Sequence, residues 1–324
     1  MAKAIRFHRT GGPEVLALES VDVGKPGPGD VRMRNAAVGV NYIDTYHRSG
    51  LYPMQLPSGL GTEAAGVVEE VGEGVDWLRP GDRVATCTGP VGAYSTERNV
   101  PADKLVKLPE GIDERTAAAM MLKGLTVQYL FRQTYPLKAG QTILFHAAAG
   151  GVGLIACQWA RALGVTMIGT VGSDAKAALA REYGCTHTIV YTRENFVDRV
   201  KEITKGKGVP VVYDSVGKDT FPASLDCLSP RGFFVSFGSS SGPIAPFNIM
   251  LLSQKGSLYA TRPTLFTHAS NRESLNAMAS ELFGLVKDGK IKPDARQTFP
   301  LADAAEAHRT LESRTTTGAT LLLP

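Results

Sequence analysis

Cysteine is scarce and scattered in this chain. Cys87, Cys157, Cys185 and Cys227 are the only four, and no two stand in a CxxC spacing. Neither a disulfide framework nor a cysteine zinc cluster follows from such spacing, and buried free thiols are expected at all four. No run of about 18 apolar residues occurs, so no membrane-spanning helix is expected. The N-terminal Met1-Ala2-Lys3-Ala4-Ile5-Arg6 alternates like a strand and lacks the apolar core of a signal peptide, which points to a cytoplasmic protein. A large charge of one sign is missing too: the formal net charge is +4 and the basic residues are dispersed. Lys201 to Lys207 is the densest basic cluster, and it reads as a solvated helix end rather than a nucleic-acid face. What remains is 43% hydrophobic and 20% charged, the composition of an ordinary globular protein. At 324 residues the chain is too long for one core, so two domains are expected.

The pattern is most specific between Gln141 and Gly164. Thr142 to Phe145 is a short apolar run suited to a buried strand. Val152, Ile155, Ala156, Trp159 and Leu163 then recur at helical spacing, so one helix face packs on a sheet. Between them, Ala148-Ala149-Gly150-Gly151-Val152-Gly153 is a dinucleotide fingerprint with alanine in the first glycine position. Gly150 lets the backbone approach a pyrophosphate, and Gly153 lets the helix sit close against the strand. The helix N-terminus adds unpaired N–H groups and a positive dipole end. Tight strand–helix turns also arise for packing alone. Strand, turn, amphipathic helix and a second strand from Val165 to Val171, in that order, favour a dinucleotide held at Ala148, Gly150, Gly151 and Val152.

The position about 20 residues further on separates the two nicotinamide cofactors, because an NAD site places an acid there for the ribose 2′-hydroxyl. Here the second strand ends Gly169-Thr170-Val171-Gly172-Ser173, and the first acid, Asp174, already opens the next helix. Gly172 and Ser173 leave room for a 2′-phosphate, Lys176 can neutralise it, and Tyr191 can bond it or stack. The pattern points to NADPH. The plainer alternative is a solvated lysine at 176 and a simple helix N-cap at Ser173.

Residues 1 to about 120 read as β-rich, with strand-like stretches at Ala2–Phe7, Ala17–Val23, Val31–Val40 and Gly66–Gly72 separated by Pro- and Gly-rich turns. Asn41 to Ser49 is expected to form a short helix displaying Tyr42, Asp44, Tyr46 and His47. Residues 141 to 237 alternate strand and helix, which implies a parallel, doubly wound sheet. Ligands of such sheets bind beyond the carboxyl ends of the strands, so Ser215, Val216, Phe237, Gly238 and Ser240 are expected to line a cofactor crevice. Turn chemistry alone would also account for Gly217 and Gly238.

Gly39-Val40-Asn41-Tyr42-Ile43-Asp44, Gly61-Thr62-Glu63-Ala64-Ala65-Gly66-Val67, Pro80-Gly81-Asp82-Arg83-Val84 and Lys123-Gly124-Leu125-Thr126 precede the glycine turn in this order. The series resembles the medium-chain dehydrogenase/reductase superfamily. Zinc alcohol dehydrogenases of that superfamily carry a cysteine ligand where this chain has Asn41 and a histidine where it has Thr62, and neither Asn nor Thr replaces thiolate or imidazole around Zn²⁺. The four-cysteine structural zinc lobe is missing as well. The chain is most similar to the zinc-independent NADPH:quinone oxidoreductases, bacterial relatives of ζ-crystallin, over essentially its whole length. The resemblance implies an α/β fold in which a doubly wound parallel (Rossmann) sheet is inserted in a β-rich, GroES-like catalytic domain. The implied divisions are residues 1–122, 123–262 and 263–324, the last returning to the first domain. It further implies NADPH as cofactor, no metal, Thr126 beside the nicotinamide ribose, and a homodimer formed through strands in Met250 to Ala260. An internal edge strand is the alternative for that stretch.

By the same resemblance the reaction is hydride transfer from NADPH to a quinone, whose readiness to accept it makes a metal dispensable. Asn41, Tyr46, Tyr52, Thr126 and Arg262 are the catalytic candidates, and Asn41, Lys123 and Thr126 join the cofactor set. Tyr46 and Tyr52 offer faces for stacking and hydroxyls for bonding, while Asn41 and Arg262 are expected to donate to a quinone oxygen. Half-buried structural aromatics are the alternative for the two tyrosines. His47 and His146 lack a partner carboxylate in the sequence and are left out. Within enzymes, the alternative activity is an enone or alkenal double-bond reductase. From another class comes an RNA-binding or structural ζ-crystallin-like protein, against which the dispersed charge argues.

Overall fold

Period-two patterning shapes the first part of the chain. β1 (Ala2–Phe7) turns Ile5 and Phe7 inward and pairs antiparallel with β2 (Ala17–Val21). β3 (Asp30–Val40) alternates at first, burying Val31 and Met33, and becomes continuously buried near its end. Asn41 leaves the strand in extended conformation and is the N-cap of α1 (Tyr42–Ser49), which stops at Gly50 with φ 84°. That left-handed turn suits a residue without a Cβ. β4 (Ser58–Gly59) adds to the far edge of β1. Then follow β5 (Glu63–Val71), β6 (Arg83–Thr86), β7 (Glu97–Pro101), β8 (Val106–Lys107) and α2 (Glu114–Tyr129).

Strand and helix alternate from there: β9 (Thr142–Phe145), α3 (Gly151–Ala162), β10 (Thr166–Val171), α4 (Asp174–Glu182), β11 (His187–Val190), α5 (Phe196–Ile203), β12 (Val209–Asp214), β13 (Leu228–Ser236), α6 (Met250–Gln254), β14 (Tyr259–Thr261) and α7 (Leu265–His268). The chain closes with α8 (Arg272–Lys287), β15 (Ala295–Pro300), α9 (Ala304–Glu312) and β16 (Ala319–Leu323). The computed structural model describes all residues 1–324. They fall into two compact units, 1–125 with 268–289 and 293–324, and 126–267 with 290–292.

In the first unit, the returning C-terminal segment completes the main sheet. β16 pairs antiparallel with β3 and parallel with β15, giving seven strands in the order β15-β16-β3-β5-β6-β8 with β7 also on β3. Its core gathers Ile5, Phe7, Val31, Met33, Leu60, Tyr94 and Leu322, among others. Gly124 on α2 has no Cβ because one would stand 2.5 Å from Leu282 on α8.

The second unit is a six-stranded parallel sheet in the order β11-β10-β9-β12-β13-β14. The order reverses between β9 and β12, and that switch point is where such sheets bind ligands. Phe131, Phe145 and Tyr213 pack ring to ring beneath it, and the Tyr213 hydroxyl donates to the Leu130 carbonyl at 3.1 Å. Trp159 is fully buried on α3, as its place in the apolar stripe requires.

Two local expectations differ from the structure. The apolar stretch from Met250 to Ala260 is not one strand: α6 covers Met250–Gln254, Gly256 and Ser257 take positive φ, and only Tyr259–Thr261 pair with β13. Leu251 and Leu252 pack on the core of the unit, which holds the helix in place. In α1, Asp44 and Tyr46 are buried rather than displayed, because the helix turns that face inward. No helix is long and apolar enough to cross a membrane.

Candidate active site

Sterics define the turn between β9 and α3. Ala147 takes a left-handed φ of 58°, and Gly150 serves as the N-cap of α3. A Cβ on Gly153 would stand 2.4 Å from the Ala147 carbonyl oxygen and 2.5 Å from that of Ala148, both backbone atoms, so only glycine fits. Gly169 on β10 explains the alanine in the first position of the fingerprint. A Cβ at 169 would lie 2.6 Å from the Ala148 Cβ, so the glycine has moved across to the neighbouring strand. At Gly150 a Cβ would meet only the Ala147 oxygen at 3.3 Å. Its lack of a side chain therefore leaves the half-buried Gly150, Gly151 and Val152 at the N-terminus of α3 open to approach from outside, a place suited to an anion.

The end of β10 carries no acid. Gly172 lies under Tyr191, whose hydroxyl would be 2.9 Å from a Cβ there. Ser173 caps α4, its hydroxyl accepting the Lys176 N–H at 3.3 Å, and the Lys176 side chain is half-buried. Asp174 is paired with Arg193 through two 2.5 Å bonds. Hydrogen bonding to Arg193 holds the Asp174 carboxyl below the usual range. Its charge is thereby matched locally rather than set against a phosphate. Gly172 and Tyr191 thus meet at the end of β10, and Ser173 and Lys176 open α4 directly after it.

Across the switch point, the loops after β12 and β13 are zipped together. Phe237 N–H donates to Asp214, Ser240 N–H to Ser215 and Ser241 N–H to Val216, all through backbone carbonyls. A Cβ on Gly238 would meet the Ser215 carbonyl oxygen at 2.6 Å, so this glycine has a packing reason of its own. The Asp214 carboxylate is fully buried and takes the N–H groups of Val216 and Gly217 and the Thr220 hydroxyl. Arg262 reaches the same loops, donating to the Ser236 hydroxyl, the Gly238 carbonyl and the Ser239 hydroxyl. Its guanidinium braces this rim. Thr126 is buried in α2. His146 lies in the interior, bonded to Thr170 and Ser224.

In the first unit, Tyr46 and Tyr52 meet edge to face at 5.3 Å, and the Tyr52 N–H donates to the Tyr46 carbonyl at 3.0 Å. Asn41 and Lys123 are buried and share an acidic partner that sequence reasoning missed, Glu63. Asn41 gives its amide hydrogens to Glu63 Oε2 at 2.8 Å and the Gly39 carbonyl at 3.3 Å. The donor role expected of Asn41 toward a quinone oxygen is therefore unavailable. A second missed set starts at Asp44, whose Oδ2 accepts the Asn41 N–H at 2.8 Å and the Tyr94 hydroxyl at 2.9 Å. Tyr94 meets His308 Nε2 at 3.0 Å, and His308 Nδ1 lies 3.0 Å from Arg48, which pairs with Glu312. Arginine only donates, so His308 accepts at Nδ1, carries its hydrogen on Nε2 and gives it to Tyr94. An acid inside an apolar strand, as Glu63 is beside Ala64 and Ala65, was the one available signal.

No group of three or more His, Cys, Asp or Glu side chains converges on a metal position. Asn41 is committed to Glu63 and Gly39, and Thr62 offers only a hydroxyl, so the residues at these places do not fit zinc.

A doubly wound sheet with a glycine turn at its switch point, joined to a β-rich unit, defines a medium-chain dehydrogenase/reductase. Residues 27–110 match the alcohol dehydrogenase GroES-like domain, and residues 151–280 the zinc-binding dehydrogenase family, named for a metal whose ligands this chain lacks. The chain is 60% identical to a quinone oxidoreductase of Pseudomonas aeruginosa over the full length of both. It superposes on the crystal structure of Escherichia coli quinone oxidoreductase complexed with NADPH with a TM-score of 0.98 and 53% identity, covering 99% of this chain and all of that one. It is also 49% identical to a 2-haloacrylate reductase of Burkholderia over 100% of this chain and 99% of that one. The chain belongs to the quinone oxidoreductase family of the medium-chain dehydrogenases/reductases.

The Asp44 network carries a prediction. Burial raises the Asp44 carboxyl to about 7 from 3.8, against the opposing bonds from Asn41 and Tyr94. Burial lowers His308 to about 3 from 6.5, with Arg48 adding to the effect. The Asp44 contribution to stability is present below pH 4 and is lost as pH rises through 7, since the unfolded chain releases that proton first. The His308 contribution has the opposite sense, present above 6.5 and lost toward 3. Asp44→Asn keeps an acceptor for Tyr94 and removes the titration. Denaturant unfolding between pH 4.5 and 7.5 should show wild type losing stability relative to the variant as pH rises; parallel curves would exclude a proton on Asp44.

Proposed function

We propose that this chain catalyses the NADPH-dependent reduction of quinones by hydride transfer, without a metal, as a cytoplasmic homodimer. The observation that carries the cofactor half is the end of β10, where Gly172, Ser173, Lys176 and Tyr191 stand in place of the acid that an NAD site needs. Relatives named quinone oxidoreductase at up to 60% identity support the substrate class.

When bound, NADPH supplies the hydride that turns a quinone into a delocalised hydroquinone anion, which takes its proton from water. The chain's residues bind and orient. Gly150, Gly151 and Val152, with Ala148 behind them, present the N-terminus of α3 to the pyrophosphate. Ser215, Val216, Phe237, Gly238 and Ser240 line the crevice beyond β12 and β13, and Asn41, Lys123 and Thr126 serve the nicotinamide ribose. The Tyr46 and Tyr52 rings stack on the quinone and their hydroxyls bond its oxygen. Arg262 holds the rim through Ser236 and Gly238. Orientation supplies the acceleration through proximity, so no single side chain acts as an essential acid.

The homodimer rests on the free edge of the second unit. β14 ends the parallel sheet with all three residues exposed, and Phe247, Ile249, Met250, Tyr259 and Phe266 are exposed apolar side chains in the same part of the chain. An open edge of this kind invites pairing with a second copy. Sedimentation equilibrium at micromolar concentration should give twice the chain mass, and a monomer would refute the pairing. The four buried free cysteines suit the reducing cytoplasm.

The 49% identity to 2-haloacrylate reductase gives a second reading, reduction of a conjugated double bond by the same cofactor. Following NADPH oxidation with a panel of quinones and α,β-unsaturated acids separates the two. Turnover with quinones is expected, and turnover with the unsaturated acids alone would favour the second. A charge-assisted bond to the 2′-phosphate is worth roughly 1.5–3 kcal/mol, so Lys176→Glu should weaken NADPH at least about tenfold and spare NADH. Equal losses for both cofactors would remove Lys176 from the site.

A further inference from the structure

Glu63 opens β5, and its side chain is completely buried. A buried carboxyl needs donors, and three reach this one. Leu122 N–H donates to Oε1 at 2.7 Å, while Asn41 Nδ2 and Lys123 Nζ donate to Oε2 at 2.8 and 2.9 Å. The strand opposite makes space for it: a Cβ on Gly39 would stand 2.0 Å from Glu63 Oε2 and 2.5 Å from the Ala118 carbonyl oxygen. Neither a carboxylate nor a carbonyl can donate, so chemistry alone sets which way the Asn41 amide points. Its nitrogen faces Glu63 and Gly39, and its oxygen, which faces the Asp44 N–H in the capping box of α1, keeps a second lone pair to offer a ligand. Lys123 is all donor, with one of its N–H groups held by Glu63.

We propose that Glu63 is a positioning residue that fixes Asn41 as an acceptor and Lys123 as a donor toward one ligand group that both gives and takes a hydrogen bond. A sugar hydroxyl of the cofactor meets that description. A quinone oxygen, which only accepts, does not. The assignment rests on the NADPH reading above and deepens it: Asn41 leaves the set that contacts quinone and acts on the cofactor alone.

Glu63→Gln is isosteric and tests this. Its amide nitrogen must face either Leu122 N–H or the pair of Asn41 and Lys123, so one donor meets another and the arrangement is lost. Fluorescence titration should show NADPH binding weakened at least about tenfold. Adenosine 2′,5′-bisphosphate, which lacks the nicotinamide ribose, should bind as before, and KM for the quinone should stay put. In an Asn41→Ala, Lys123→Met background the Gln substitution should add nothing to the loss of NADPH affinity, since the two side chains it positions are gone and only the Leu122 N–H remains on Oε1. Unchanged NADPH affinity, equal weakening of both probes, a shift in quinone KM, or a further loss in that background would each overturn the role of Glu63. Wild-type protein that fails to bind NADPH would overturn the cofactor reading with it.

Discussion

Space, more than any single bond, organises the second unit of this protein. The turn after β9 is pressed between α3 and β10, with no room for a Cβ at Gly153 or at Gly169. That double approach brings the α3 N-terminus against the sheet at the point where strand order reverses. It also lets Ala148 stand where a glycine is customary, because the neighbouring strand has given up its own side chain instead. The requirement for small residues is shared by two strands and a helix.

The first unit depends on electrostatics. Its buried polar residues form two sets that meet at Asn41. Glu63 holds the side chain, and Asp44 holds the backbone N–H. The Asp44 set continues through Tyr94 and His308 to Arg48 and Glu312, tying α1 to α9 within the first unit. Groups buried this deeply are stable only when their partners are in place. The C-terminal return thus contributes a sheet strand, β16, and part of the polar frame behind Asn41.

Much of this was legible in the sequence because it is local. The strand from Thr142 to Phe145, the helix after Gly150 and the missing acid after Val171 are each read from residues a few places apart, and the structure has all three. The polar sets were not legible, since Asn41 and Glu63 are 22 residues apart, Tyr94 and His308 are 214 apart, and no periodicity links them. Asn41 was read as a donor because its type permits both roles, and only its neighbours decide between them. In Met250 to Ala260 the composition suits either a strand or a buried helix. Gly256 and Ser257 break the stretch between a short helix and a shorter strand.

What the chain contributes to catalysis, on this view, is placement: a reduced nicotinamide held on one face and a flat acceptor over it, with no metal and no essential acid. A single-turnover reaction of the protein with one equivalent each of NADPH and a quinone, in the presence of a chelator, tests this most directly. The experiment uses NADPH deuterated at C4 on one face or the other. Consumption of one NADPH per quinone, slowed by only one of the two labels, is the expected result. Equal rates with both labels, or no oxidation until a metal is restored, would contradict it.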